Sequence, residues 1–425
     1  MKRRILASLL AAGMCVSLFA GCSLGGDDSD GDTSKTSGSS SDGTVNLTVW
    51  GAEEDAELLE TLISGFKQEY SDTSFNITVE AVAESDCKNT LLSDVLNAPD
   101  VFAFADDQLS SLVASGVMSP VENADEVSSA NSSGSVEAAT VNGTLYAYPM
   151  TADNGYFLFY DKSYFTDEDL TTLDGILSVC ASNGKYFFFD FTSGWYVYSF
   201  FAQTGLTVGL NDDGISNYCT WNSTENAITG QDVANAMIAI AQSGGLYNTL
   251  DADGNLANSL TGGAADGTII AGVSGVWDSS ALQETWGENY GAMKLPTYTV
   301  AGQQVQMSSF AGYKMIGVNK YSENVEWAHK LADYLTNEDS QNTRFAMRSL
   351  GPSNTNAAST AEVQSALAIQ ALIAQSEYAT LQRIGNNYWS PVATFGKSMF
   401  LGNPSGADVQ EQLDTMVEEV TASNS

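Results

Sequence analysis

The chain has 425 residues, with 52 Asp and Glu against 16 Lys and Arg and a single histidine. That acidic excess argues against nucleic acid and against anionic small molecules as partners. The length past the N-terminal segments is too great for one core, so two lobes are expected.

The first residues, MKRRILASLLAAGMCVSLFAGCSLGG, place Lys2, Arg3 and Arg4 before an apolar run over 5–19, which is too short for a comfortable bilayer span. Small residues then precede Cys22 in the manner of a bacterial lipobox. Residues 1–21 are therefore expected to be a lipoprotein signal peptide, with diacylglycerol carried on Cys22. Residues 22–43, mostly Gly, Ser, Thr and Asp, cannot bury enough apolar surface to order themselves and are expected to form a tether. Beyond Cys15 and Cys22 only Cys87, Cys180 and Cys219 remain. This odd set lacks metal-like spacing and leaves open either a Cys180–Cys219 disulfide or separate buried thiols.

Alternation over 45–50 predicts a strand, and apolar residues at helical spacing from Leu58 to Tyr70 predict a helix over 53–70. A strand over 75–82, a helix over 85–97, a strand over 99–104 and a helix over 106–115 capped by Gly116 continue the pattern. This order predicts parallel strands with right-handed crossovers. Asn142-Gly143 marks a tight turn, followed by a strand over 145–150, a polar patch over 151–155 and an apolar strand over 156–160. Residues 186–201 carry ten aromatics in sixteen positions; most are expected in the core. Trp195 and Tyr196 differ, because they stand where a strand ends and a helix begins, the edge that faces the ligand crevice in doubly wound sheets. Further on, a helix is expected over 231–242, a strand and Gly-spaced turn over 268–277, a helix over 279–285, and a strand over 290–295. A segment over 307–318 returns to the first lobe. A helix over 325–335 carries His329 in a partly exposed structural role, and two further helices begin near Ala361 and Ala407. Asp251-Ala252-Asp253-Gly254-Asn255 looks faintly like a calcium loop, but Gly is missing at the sixth position and Gly262 stands where the bidentate Glu belongs. No metal or other cofactor is expected.

The stretch over 141–165, VNGTLYAYPMTADNGYFLFYDKSYF, resembles the inter-lobe crossover of the maltose-binding-protein-like extracellular solute-binding proteins (family 1) that serve carbohydrate ABC transporters. The shared pattern is NGxLYAxP, a short patch, and an apolar strand ending in Tyr160-Asp161-Lys162. LTVWG, FKQEY, APDVFAF and LVASGVMSPV match the first lobe in order. The segment over 268–277 resembles the one that precedes a ligand-facing Trp, and Gly351-Pro352-Ser353-Asn354 resembles the bend before a third crossover. The resemblance spans about Val45 to Glu419. It implies an α/β, two-lobed periplasmic-binding-protein-like fold of type II. Each lobe would hold a mainly parallel sheet flanked by helices, joined by a multi-segment hinge. Lobe one would be 44–151 with 307–351, and lobe two 153–298 with 354–421.

The resemblance also implies a site. Phe104, Trp195, Trp277 and Trp389, with Tyr196 beside them, would offer aromatic faces to a sugar. Glu53, Glu54, Asp106, Asp107 and Asp153 would bind its hydroxyl edges. The chain departs from the family where Phe104 replaces a Trp, Ser193 an acid and Gln108 an Arg, and where the basic residue near Glu54 is missing. The implied function is that of a monomeric lipoprotein on the outer face of the cytoplasmic membrane, anchored at Cys22. It would capture a neutral oligosaccharide, best a maltooligosaccharide or other α-glucan fragment, and pass it to ABC permease subunits. The alternatives are a lipid-anchored glycoside hydrolase, which needs a carboxylate pair, and a surface glycan adhesin or sensor. Catalysis is not expected, since no Ser-His or Cys-His arrangement and no phosphate-binding Gly loop is present.

Overall fold

A computed structural model describes residues 43–95, 98–211 and 215–422. The signal segment, Cys22 and the tether up to residue 42 lie outside the described residues. Two sheets organise the chain from Thr44 onward.

In the first sheet the strand Thr44–Gly51 pairs in parallel with Ser74–Ala81 along its whole length, and with Val101–Ala105 on its other side. The amphipathic helix Ala56–Glu69 connects the first two. It buries Leu58, Leu59, Leu62, Ile63 and Phe66 against the sheet, as its spacing predicts. Lys314–Val318 then enters between Val101–Ala105 and Ala147–Thr151 and runs antiparallel to both. The second sheet has the order Tyr290–Met293, Phe157–Asp161, Ile269–Ser274, Tyr186–Phe188. Only its last pair is parallel, because Phe157–Asp161 opposes both neighbours.

Both sheets are therefore mixed rather than mainly parallel. Strands that arrive by a strand-helix-strand route end at the edge facing the other lobe. Phe157–Asp161 comes directly from the first sheet and Lys314–Val318 from the second lobe by way of Ser309–Ala311, and both begin at that edge: Lys314 stands opposite Ala105, and Phe157 opposite Ser274.

Asn142 and Gly143 take φ of 51° and 78° and turn the chain between Thr140–Val141 and Thr144–Leu145. Such left-handed values suit an Asn-Gly pair. The expected helix over 85–97 is shorter, Cys87–Ser93, and residues 96–97 lie outside the described residues. Beyond the elements expected from sequence stand the helices Leu173–Ser182, Glu338–Arg348 and Trp389–Phe400 and the hairpin of Thr297–Val300 with Gln303–Gln306.

The aromatic run over 186–201 mainly fills the second core, where Phe201 stacks on Trp221 at 4.0 Å and 6°. Cys87, Cys180 and Cys219 are free thiols, so 180 and 219 are not bonded; burial pushes each up to about 12. His329 is structural, as expected, but buried rather than partly exposed. Its ring nitrogens lie 2.9 Å from Ser119 Oγ and 2.9 Å from Tyr148 Oη. Among the described residues no helix is long and apolar enough to cross a membrane.

The chain passes between the sheets in three neighbouring segments, at 151–156, 307–314 and 350–354. They are stitched together by Ala152 N–H to Gly351 O at 2.9 Å, Asn154 N–H to Gly312 O at 3.3 Å, and Gly351 N–H to the Asp153 carboxylate. Ser309–Ala311 also pairs in parallel with Ala379–Leu381.

Candidate functional site

Between the lobes lies a cleft of about 770 Å³. Its apolar wall comes from three positions far apart in the chain, each at the start of a helical turn. Trp195 opens the helix Gly194–Phe201, and its ring lies 5.3 Å from Phe310 and 5.5 Å from Tyr156. Trp389 opens Trp389–Phe400, 6.2 Å from Phe310 and perpendicular to Tyr388. Phe310, on the crossing strand Ser309–Ala311, is 1% exposed and backs both rings. Trp277 sits in the single 3-10 turn Val276–Asp278 just after Ile269–Ser274. Its ring folds back over Gly275, where a Cβ would lie 2.1 Å from the indole. The glycine is there to let the ring lie down, not to free the backbone, which is extended at φ −104°. All three tryptophans are half-buried and line the cleft.

The polar wall belongs largely to lobe one. Glu54 is exposed on the turn Glu53–Asp55 and faces the cleft. Asp107 is half-buried, and its carboxyl is raised to about 7. Burial is the main cause and the charge of Asp106 adds to it, while Lys88 and Arg383 pull the other way. Opposite them, Asp278 is also raised, by burial first and by Glu54, although the Ser274 hydroxyl donates to it at 2.6 Å. The Asp107 carboxyl, raised to about 7, exchanges roles near neutral pH, accepting only when ionised and also donating when protonated.

The structure adds cations that the sequence pattern did not reveal. Lys88 Nζ donates to Asn386 Oδ1 at 2.9 Å, linking the helix Cys87–Ser93 to the turn before Trp389. Lys314 lies 3.5 Å from Glu84. Arg348 donates to Asp55 at 2.9 Å, and the buried Arg344 donates to the same carboxylate at 2.7 Å. Arg348 thus stands in the cleft with Glu54, where local sequence showed no basic residue. No sequence signal marks Lys88, Lys314 or Arg348, since their places depend on partners remote in the chain. Gln108 ties the backbone of its own lobe, accepting from Lys88 N–H at 2.8 Å and donating to Glu84 O at 2.7 Å.

Of the residues singled out from sequence, the fold brings Glu54, Asp107, Trp195, Trp277 and Trp389 to the cleft, and five others lie outside its lining. Phe104 is 0% exposed and packs 5.7 Å from Phe102, because Val101–Ala105 is an inner strand covered on both faces. Glu53 is exposed and stands outside the cleft lining. Asp106 is buried, accepting from Tyr313 N–H at 2.9 Å and from Arg383 at 2.7 Å. Asp153 is buried in the first crossing segment and holds Gly351. Tyr196 turns inward, 5.0 Å from Tyr156 and 6.0 Å from Phe189. Among the described residues no His, Cys, Asp and Glu cluster could hold a metal ion. The Asp251 loop is a closed turn whose carboxylate accepts from Asp253 and Asn255 N–H at 2.9 Å each.

Flat apolar faces opposite hydrogen-bonding edges suit a ligand with two apolar faces and a polar rim. The family model of bacterial extracellular solute-binding proteins matches residues 61–371. A galactooligosaccharide-binding protein of Bacillus subtilis is 26% identical over 403 residues, covering 91% of this chain and 90% of that protein. A maltooligosaccharide ABC transporter solute-binding lipoprotein of Streptococcus pneumoniae is 25% identical over 345 residues, covering 77% of each. A solved structure with acarbose superposes with a TM-score of 0.76 at 27% identity, over 89% of this chain and 99% of the other. In fold alone, a maltose/maltodextrin-binding domain from Bdellovibrio bacteriovorus bound to maltotriose superposes at 0.73 with 16% identity, over 88% and 99%.

Proposed function

Because this chain belongs to the bacterial extracellular solute-binding protein family, we propose that it captures a neutral oligosaccharide between its lobes for a carbohydrate ABC transporter, best a maltooligosaccharide. The carrying observation is the meeting of Trp195, Trp277 and Trp389 in one cleft with Glu54, Asp107 and Asp278 around them. Sugar rings stack their C–H faces on the indoles and present hydroxyls to the carboxylates. The relatives are binding proteins rather than enzymes, and binding with release is the whole task assigned to this cleft.

Ligand binding shifts an open–closed equilibrium about the three crossing segments, and the closed form is what the permease subunits read. The lobes in this reading are 44–151 with 307–351, and 153–298 with 354–421. The two sheets support a division near these bounds, with Lys314–Val318 in the first sheet, while Met307, Phe310 and Leu350 pack with second-lobe residues, so the crossing segments themselves lean on lobe two. The protein works as a monomer on the outer face of the cytoplasmic membrane, anchored through Cys22; Cys22→Ser should release it from the membrane fraction.

Calorimetric titration with maltotriose and longer α-glucans is the test of the ligand, with a fall in radius of gyration on saturation as the test of closure. A galactooligosaccharide is the second reading, favoured by the relative that matches over 91% of the chain, and belongs in the same panel. Binding of an amino acid, peptide or polyamine, with none of the neutral glycans bound, would overturn the proposal.

A further inference from the structure

Arg383 belongs neither to the cleft lining nor to a core. It lies just past the strand Ala379–Leu381, which runs along the crossing strand Ser309–Ala311, and Gln382 N–H donates to Ala311 O at 3.0 Å. Arg383 Nη1 donates to Asp106 Oδ2 at 2.7 Å and to Gln382 O at 2.9 Å. Asp106, whose side chain is 1% exposed, spends its other oxygen on Tyr313 N–H, so the pair is fixed from both sides. The two partners come from different lobes. Asp106 follows the inner strand of the first sheet and precedes Asp107. Arg383 precedes Asn386 and Trp389, and Gly385 between them is pinned by Asn217 Oδ1 at 2.7 Å. Lys88 reaches the same turn from lobe one, through Asn386.

We infer that Arg383 is a positioning residue for the cleft: its ion pair with Asp106 ties the acidic wall of lobe one to the turn that presents Trp389, and so sets both the placement of that indole and the charge of Asp107. The charged groups facing Asp107 are Asp106 on its own turn, Lys88 on the helix Cys87–Ser93, and Arg383 from lobe two. Asp106 in turn faces Arg383 and the backbone of Tyr313. With Asp106 ionised, two substitutions that break the same pair move Asp107 in opposite directions. Removing Arg383 deletes a cation that favours the carboxylate, and neutralising Asp106 deletes an anion that opposes it.

The test uses the ligand-free protein with 5-fluorotryptophan at its seven tryptophans and fluorine resonances assigned by single Trp→Phe variants. Arg383→Met should displace the Trp389 resonance, leave those of Trp50 and Trp327 in place, and move the cleft titration to higher pH. That titration is assigned to Asp107 by its loss in Asp107→Asn. Asp106→Asn should displace Trp389 in the same way but move the midpoint to lower pH, and Arg383→Lys should stay near wild type. A role in stability alone predicts a lower melting temperature with the Trp389 resonance and the midpoint unmoved; that result, or midpoints moving together, overturns the inference. If Arg383→Met does not fold, Asp106→Asn against Arg383→Lys decides the same point. A further arm rests on the oligosaccharide reading: maltotriose affinity should fall about tenfold in Arg383→Met, the scale of coupling between a hinge element and a site. Failure of the wild type to bind maltotriose would count against that reading only, because the fluorine arms need no ligand.

Discussion

Gly275→Ala should weaken sugar binding without removing a single ligand-contacting atom. The backbone at 275 is extended, with φ −104° and ψ −175°, so alanine fits the chain there without strain. Its methyl cannot coexist with the Trp277 indole, three of whose atoms lie 2.1, 2.2 and 2.6 Å from the Cβ position. The ring must swing off the glycine and leave the cleft wall. A tryptophan buries 150–250 Å² in full, and one face of a half-buried ring offers a sugar roughly 70 Å². At ~25 cal/mol per Å² that is about 2 kcal/mol, or about 30-fold in Kd. Calorimetry with the preferred glycan should find Gly275→Ala and Trp277→Ala weakened by similar factors. The double variant should be no weaker than Trp277→Ala, because both changes remove one interaction. Wild-type affinity in Gly275→Ala, or fully additive losses in the double variant, would refute the reasoning.

Trp327 packs edge-on against Phe75 and Tyr70 under Lys330, well away from the cleft; Trp327→Ala should lower the melting temperature and leave glycan affinity within about twofold, well under a hot-spot loss. Phe104→Ala should cost about 3–5 kcal/mol in denaturant unfolding, as for other buried aromatics, with Kd of the folded fraction unchanged. His329 is held neutral by burial, which lowers its pKa against a smaller opposing effect of Glu122. Below about pH 6.5 the unfolded chain binds a proton that the native ring resists, so stability falls as pH drops through that window. His329→Gln should flatten this part of the stability curve, read as a smaller melting-temperature loss between pH 7 and 5 than in wild type. Asp107 has its carboxyl raised to about 7, so the native state holds a proton that the unfolded chain has released. Stability therefore declines from about pH 4 to 7, and Asp107→Asn should raise the melting temperature at pH 8 more than at pH 4.

Local pattern accounts for much of lobe one. The spacing from Leu58 to Phe66 requires a helix with one buried face, and the alternation over 45–50 requires a strand; neither depends on distant residues. Asn142-Gly143 turns because those two residues tolerate positive φ. Trp195 is legible for a related reason, since it follows a strand and begins a helical turn beside Gly194, whereas Trp277 is legible through the resemblance of its segment to one that precedes a ligand-facing Trp. Which side chain at such a junction meets the cleft is a different matter. Asp106 and Asp107 are neighbours of the same chemistry, yet one is consumed by Arg383, 277 residues away, and the other faces the ligand space. Phe104 stands on a strand that looks the same whether it has a core on one side or both. It became core only when Lys314–Val318 closed over the strand's outer edge and the helices covered its faces. The same return of the chain decided that the first sheet is mixed, and it carried Lys314 to a cleft where local sequence promised no cation. Periodicity is fixed by neighbours three or four residues apart, and it fixed the elements. Burial, strand direction and charge pairing are set by whichever segment arrives from the other lobe, and those only the tertiary structure could decide.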